Sequence, residues 1–411
     1  AAAILLTTDP KSTVSPPRPT GAPPAPVTSP NRPTPASATL EERALKVAGA
    51  RDVDALRKLA AEWRRSARED REFRRRLAGI VLNSAVPTEA RELAAFVLGS
   101  LADREGLEAL SQALEGSCDP AWSRTLLLAL GSDRSSEDDD DIFGLPDSPR
   151  VIGTPSGLAV RIRGVIDEPA LRARMIPRLR EAGDPGVRWA AALALADSAG
   201  LEDVRRAFLI ALPGESDPPA QGELCKALAD WAAGEPAGSP DRAQVFSAIL
   251  EGALRTDAGA LRLRSEDGLK RMTWTDAEVR AVMPLIDSGP FDQRRWAMAV
   301  LAGAASRPET PARGAVFESL ERVASSEPEA KVRELAVTAL SSFPDVSRAP
   351  AILMGALQDA AWHVRAAAAR GLGRLGRSEE VLNALRRAEE TDADERVRRA
   401  AGETRRLLSS K

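Results

Sequence analysis

At 411 residues, with a net charge of −3 and 43% hydrophobic residues, the chain has apolar material for a large core but no overall basic charge for coating nucleic acid. Aromatics make up only 4% and Tyr is absent; the apolar residues are mainly Ala and Leu, strong helix formers, where a β-rich core would use Val, Ile and aromatics. Cys118 and Cys225 are the only cysteines, which excludes a disulfide framework and reads as two unpaired buried thiols.

The first residues, AAAILL, are too few to span a bilayer, which needs about 20, and read either as the trailing end of a signal peptide or transmembrane helix or as an arbitrary gene boundary. From Asp9 to Thr39 ten prolines mix with Ser, Thr and Ala. Such a segment buries no core and makes an extended linker, reaching at most ~90 Å in polyproline II. An apolar stub and a stiff spacer together suit a domain tethered to a bacterial cell envelope or exported, with a cytoplasmic location as the alternative. The preference for Arg, with only seven Lys, fits a bacterial coding bias.

Helical patterning begins at Leu40, with Thr39 as its cap and Glu41 and Glu42 complementing the helix dipole. Leu45, Leu56 and Leu59 carry an apolar stripe towards Trp63. The charged run from Arg64 to Arg76 reads as a solvated helix surface, with Phe73, Leu77 and Ile80 turned inward.

From Pro87 one pattern recurs. With Val364 as position zero, Arg365 stands at +1, Ala368 at +4, Gly371 at +7 and Leu372 at +8. Val332, Val187, Ala90 and Gln293 start copies with Arg333, Arg188, Arg91 and Arg294 at +1, and Val397-Arg398 starts a copy that turns polar at Thr404 and Arg405, as a terminal cap would. Offsets 0, +4, +7 and +8 lie on one helix face, and Ala or Gly at +4 and +7 admits a close neighbour. The steps from Val332 to Val364 and Val397, about 32 and 33 residues, accommodate two short helices and their turns. Partner helices fall at 346–358 and 379–390. The chain divides into a stub and linker (1–39), N-terminal repeats (40–131), an insertion (132–167) and C-terminal repeats with a polar cap (168–411).

The insertion breaks the period. Seven acidic residues lie between Asp133 and Asp147; Glu137 to Asp141 lacks the alternating ligands and turn glycine of a calcium loop and reads as an acidic loop. Residues 151–154 and 158–162 flank Pro155-Ser156-Gly157 as a β-hairpin, either projecting from the stack or packed back over it.

These segments resemble the HEAT-repeat family, especially its short, phycobilisome-lyase-like form. Asp184-Pro-Gly-Val-Arg-Trp-Ala-Ala-Ala-Leu-Ala-Leu and Trp362-His-Val-Arg-Ala-Ala-Ala-Ala-Arg-Gly-Leu-Gly carry the likeness, which runs from Pro87 to the C-terminus apart from the insertion. The resemblance implies an all-α fold: a right-handed α-solenoid of stacked antiparallel helix pairs, with one irregular acidic and β-hairpin insertion. It also implies that Arg188, Arg333, Arg365 and Arg398 tie successive repeats together by hydrogen bonds.

His363 is the only histidine, so catalytic triads and His-rich metal sites have little support. Some enzymes of the resembled family bind iron through His-Glu pairs; this chain has none. The Gly371–Gly376 stretch ends a helix and is no nucleotide cradle. The expectation is a non-catalytic scaffold with no cofactor and no metal, whose partner is another protein and not nucleic acid. A lyase- or chaperone-like module acting on a cofactor-bearing protein is the alternative. Trp189 at +2, Trp362 at −2, His363, and Arg161 and Arg163 at the hairpin are the candidate partner-binding residues.

Overall fold

Several helices start where an aspartate takes an orphan amide. Asp119, Asp184 and Asp217 accept hydrogen bonds from the N–H of Ala121, Val187 and Ala220 (3.1, 2.9 and 3.0 Å). Each is followed by proline at the first helical position, where the missing N–H costs nothing. The computed structural model describes residues 40, 42–45, 52–101, 103–134, 151–153, 159–255 and 257–410. The stub and linker, Thr39, Glu41 and the acidic run with its calcium reading lie outside these residues.

The helices form two layers. The inner layer runs through Val53–Glu69, Thr88–Gly99, Pro120–Leu130, Pro185–Leu195, Pro218–Gly234, Gly259–Arg271, Phe291–Ala305, Ala330–Leu340, Trp362–Leu375 and Glu395–Ser409, each packed on the next. Between successive inner helices stands an outer one: Arg71–Leu82, Arg104–Glu115, Pro169–Met175, Glu202–Ala211, Pro240–Ala253, Asp276–Val282, Arg313–Ser326, Ala349–Ala356 and Glu379–Thr391. The chain is an α-solenoid of antiparallel helix pairs.

The offset rule reaches further than its arginines suggest. Trp122, Ala220 and Leu261 also take position zero, with Leu126, Ala129 and Leu130, then Leu224, Ala227 and Leu228, then Ser265, Gly268 and Leu269 at +4, +7 and +8, all buried. Ser123 and Gln221 at +1, and the polar Ser265 at +4, hid these copies. Small residues set the inner spacing: a Cβ on Gly268 would lie 2.5 Å from the carbonyl carbon of Ala229 in the preceding inner helix. Gly376, with φ +112°, ends the Trp362–Leu375 helix as the sequence suggests.

Several expectations change. Leu45 is 38% exposed, and Leu40 and Ala44 face the core instead. The charged run from Arg64 is not one solvated surface: Asp70 ends one helix and caps the next, and Arg64 is buried, with Nη2 3.4 Å from the Ser100 carbonyl. Cys118 is exposed and only Cys225 is buried. Thr404 is buried too, since Gly373 leaves room for it. The helix at 346–358 is shorter, Ala349–Ala356.

In the insertion, β1 (Val151–Gly153) pairs antiparallel with β2 (Ala159–Arg161), Ile152 opposite Val160. The second strand and its continuation pack back on the helices. Val160, Ile162 and Ile166 are buried, Asp133 N–H donates to the Arg161 carbonyl (3.0 Å), Gly164 N–H to that of Gly131 (3.0 Å), and Ile166 N–H to Ser198 Oγ (2.9 Å). These bonds satisfy backbone that no helix pairs.

The +1 arginines form a ladder. Arg333 Nη1 donates to the carbonyls of Glu327 (2.8 Å) and Pro328 (3.0 Å), while Nε and Nη2 grip Asp359 (2.8 Å each) in the next turn. Arg365 repeats this on the carbonyls of Asp359 (2.8 Å) and Ala360 (3.1 Å) and on the Asp392 carboxylate (2.8 and 2.9 Å). Arg294–Glu327 (2.6 Å) precedes these rungs, and Arg188–Glu215 (2.8 and 3.0 Å) stands alone upstream. Each carboxylate also accepts an N–H of its own turn, as Asp359 does from Ala361 (2.8 Å) and Asp392 from Asp394 (2.9 Å). Arg398, in the last inner helix, holds only the carbonyls of its own turn, Asp392 (2.7 Å) and Ala393 (3.1 Å).

Where the inner ladder lapses, at Gln221 and Arg262, both side chains hold only carbonyls. An outer ladder spans that stretch: Arg172–Asp203 (2.6 Å), Arg205–Asp241 (2.6 Å) and Arg242–Glu278 (2.7 Å).

Gly268→Ala is expected to destabilise by about 1–3 kcal/mol despite better helix propensity, because its methyl meets backbone that cannot move aside; a melting temperature at or above wild type would contradict this. Hydrogen bonds from Arg294, Arg333 and Arg365 hold the carboxyls of Glu327, Asp359 and Asp392 below their ordinary range. A depressed carboxyl contributes stability above its unfolded pKa, about 4, and loses it as pH falls through the folded value. The urea midpoint should therefore be flat above about pH 5 and fall below about pH 4. Asp392→Ala should cost about 3 kcal/mol at neutral pH, since it strands the largely buried Arg365, and should shrink the acid-side fall.

Candidate functional site

With the turns tied by the ladders, the remaining surface of the inner layer is the helix face opposite the outer layer. It is reached from positions +2, +6 and +10. Trp189, Leu263, Arg295, Glu334 and Arg399 occupy +2 in five of the copies, while Gly222 and Ala366 at the same offset are buried, and Leu263 is 62% exposed.

In the central repeats this face is cross-linked by ion pairs whose carboxylates sit low and whose cations project. Arg264 binds Glu223, and Arg271 and Lys226 share Asp230. Glu266 takes Arg295 (2.8 Å) and Lys270 (3.1 Å). The carboxylates of Glu223 and Glu266 are 9% and 11% exposed, against 44% and 61% for the side chains of Arg264 and Arg271. Arg307 covers the end of the Gly259–Arg271 helix, donating to the carbonyls of Arg271 (2.9 Å) and Lys270 (3.1 Å), where a cation suits the helix dipole.

The candidate residues from the sequence do not converge. Trp189 is half-buried and packs against the core. Arg161 is half-buried in β2, and its carbonyl accepts from Asp133; Arg163, two residues on, is exposed. This segment meets the far end of the Trp189 helix, for a Cβ on Gly131 would lie 2.7 Å from Ala194 and 3.1 Å from Ile162. Trp362 and His363 stand five inner helices further along.

Trp362 keeps 36% of its surface exposed although the Arg396 guanidinium lies 3.3 Å from its ring centroid. Asp394 fixes that guanidinium with two hydrogen bonds (3.1 and 2.8 Å) and accepts the Arg396 N–H (2.9 Å), capping the last helix. Those Arg396 contacts bring the Asp394 carboxyl down to about 2. The His363 ring meets Trp362 edge-on at 5.6 Å. Trp362 is thus a clamp between two repeats with one open edge. Sequence spacing could not find this, because Arg396 lies outside the recurrent offsets.

Chemistry-bearing groups are sparse. Among the described residues no cluster of three or more His, Cys, Asp or Glu is placed to hold a metal. Burial pushes the Cys225 thiol far up, away from the nucleophilic thiolate. Among the described residues no helix is long and apolar enough to cross a membrane.

Residues 317–404 match the family model for HEAT repeats, and no curated protein matches the chain. Among solved structures, the karyopherin Kap121p bound to the SUMO protease Ulp1p is 13% identical with a TM-score of 0.52, over 89% of this chain and 40% of that one. Importin beta is 13% identical with a TM-score of 0.49, over 90% and 50%. An engineered protein is 17% identical with a TM-score of 0.37, over 90% and 98%. The chain thus spans half or less of the Kap121p and importin beta chains, and at these identities the Kap121p likeness speaks for fold alone. The HEAT match over 317–404 falls on the most regular part of the ladder, and the same helix-pair stack continues on its N-terminal side: this chain is an α-solenoid whose residues 317–404 match HEAT repeats.

Proposed function

We propose that the protein is a non-catalytic interaction scaffold that presents the exposed face of its inner layer to another protein, with the proline-rich residues 9–39 spacing it from a bacterial envelope surface. The reading rests on a division of labour. The rungs at the helix starts tie the repeats and inner-face ion pairs add cross-links in the middle, so the groups that project beyond those pairs, such as Leu263, are open to a partner. Trp189 and Trp362 with His363 supply aromatic contacts at two places on the stack, of the kind that dominate protein interfaces. Arg161 and Arg163 add cations within the insertion. Kap121p, which shares the fold, is bound to a protease in its structure, and a protein partner is proposed here by that analogy. The ten prolines between Asp9 and Thr39 favour a spacer that holds the stack away from its anchor.

A photo-crosslinking residue at Leu263, on the inner face, should capture a protein from the native cell extract that the same residue at Arg386, on the outer layer, does not. Capture from Arg386 alone would sink the reading. To ask whether the insertion contributes, residues 135–150 should be replaced by a Gly-Ser linker. Removing 132–167 would strip Val160, Ile162 and Ile166 from the core and report only unfolding.

A further inference from the structure

We propose that the C-terminal end of the inner face is a docking surface for an acidic polypeptide segment, centred on Arg370, Arg374 and Arg377 and extended by Arg406. This rests on the scaffold reading and names the chemistry of its partner. Arg370 and Arg374 stand at +6 and +10 of the Trp362–Leu375 helix, and Arg377 follows its end. All four arginines are exposed, and none forms an ion pair among the described residues. Arg374 reaches only the Ser341 hydroxyl (3.3 Å).

The comparison with the central repeats carries the argument. There, Arg271 at +10 meets Asp230 at +10 of the preceding helix, and each projecting pair is neutralised from below. At the C-terminal end the same slot offers a serine. The Trp362–Leu375 helix contains no acidic residue at all, and on the facing turns of the last helix Glu403 is the one exposed carboxylate beside Arg406. Glu389 and Glu395 are already bound by Arg405 (2.6 Å) and Arg399 (3.1 Å). Exposed Glu379 and Glu380 follow Arg377, and Glu389 acts on Arg406, so the unbalanced cations of the patch are Arg370 and Arg374, on a chain whose net charge is −3. The helix dipole accounts for a cation near the last turn, at Arg374 and Arg377, but not for Arg370 a turn earlier. Leu407, 66% exposed at +10 of the last helix, supplies an apolar neighbour. An incoming run of carboxylates would find guanidinium groups with unused N–H donors, the arrangement that favours charge-assisted, bidentate contacts.

The test uses the full chain and a fluorescein-labelled oligoglutamate peptide, followed by anisotropy, with a single-stranded oligonucleotide of matched charge as the second probe. Wild type should bind the peptide in low salt and release it as salt rises. The double variant Arg370→Glu/Arg374→Glu should bind about tenfold or more weakly. Arg386→Glu, an equal charge change on the outer layer, should bind like wild type, and melting curves check that both variants fold. No peptide binding, equal loss in Arg386→Glu, or tighter binding of the oligonucleotide would each overturn the proposal. If the double variant still crosslinks its native partner through Leu263, the scaffold reading stands and only this surface falls.

Discussion

One guanidinium group does three jobs at each regular repeat. It closes the turn before its own helix through two carbonyls, fixes the start of that helix, and reaches a carboxylate that organises the next turn. A planar group with five N–H donors can satisfy all of these at once, and a lysine could not. Because Arg294, Arg333, Arg365 and Arg398 are linked through Glu327, Asp359 and Asp392, the order of one turn is passed to the next. A solenoid repeat contacts only its neighbours, so such rungs carry much of the coupling along the stack.

The two layers are packed on different terms. Alanine and glycine at +4 and +7 let inner helices approach until backbone meets backbone, as at Gly268 and Ala229. The outer helices stand further apart and leave grooves, one of about 730 Å³ between the Pro169–Leu179 and Glu202–Ala211 segments and one of about 690 Å³ beside the Arg365 rung. Ile176, Leu201 and Ala207 floor the first groove. The insertion solves a local version of the same problem, since β2 and its continuation bury Val160, Ile162 and Ile166 over the ends of two inner helices.

Polar links also migrate between layers. Where +1 is glutamine, or an arginine without a carboxylate in reach, the outer ladder and the inner-face ion pairs take over the bridging of adjacent repeats. Exposed pairs are weaker and more easily screened than the largely buried rungs. The inner face is therefore internally neutralised in the middle of the chain and left cationic at its C-terminal end.

Much of this fold was legible in the residues. The offsets 0, +4, +7 and +8 follow from helical geometry alone, so they revealed the inner helices and their close spacing, while the structural duty of Arg188, Arg333 and Arg365 was implied by the resemblance to HEAT repeats. Copies starting at Trp122, Ala220 and Leu261 escaped because their +1 or +4 residue departs from the pattern while burial is unchanged. Other features had no local signature. The carboxylate that completes a rung is Glu or Asp, lies between 26 and 33 residues ahead, and is chosen by where two turns meet in space. The burial of Arg64, the exposure of Cys118, the folding back of β2 and the stacking of Arg396 on Trp362 depend likewise on which neighbour arrives. Helical periodicity is a property of consecutive residues and can be read from them. Which charge finds its partner, and which is left facing solvent, is decided only when distant turns are brought together.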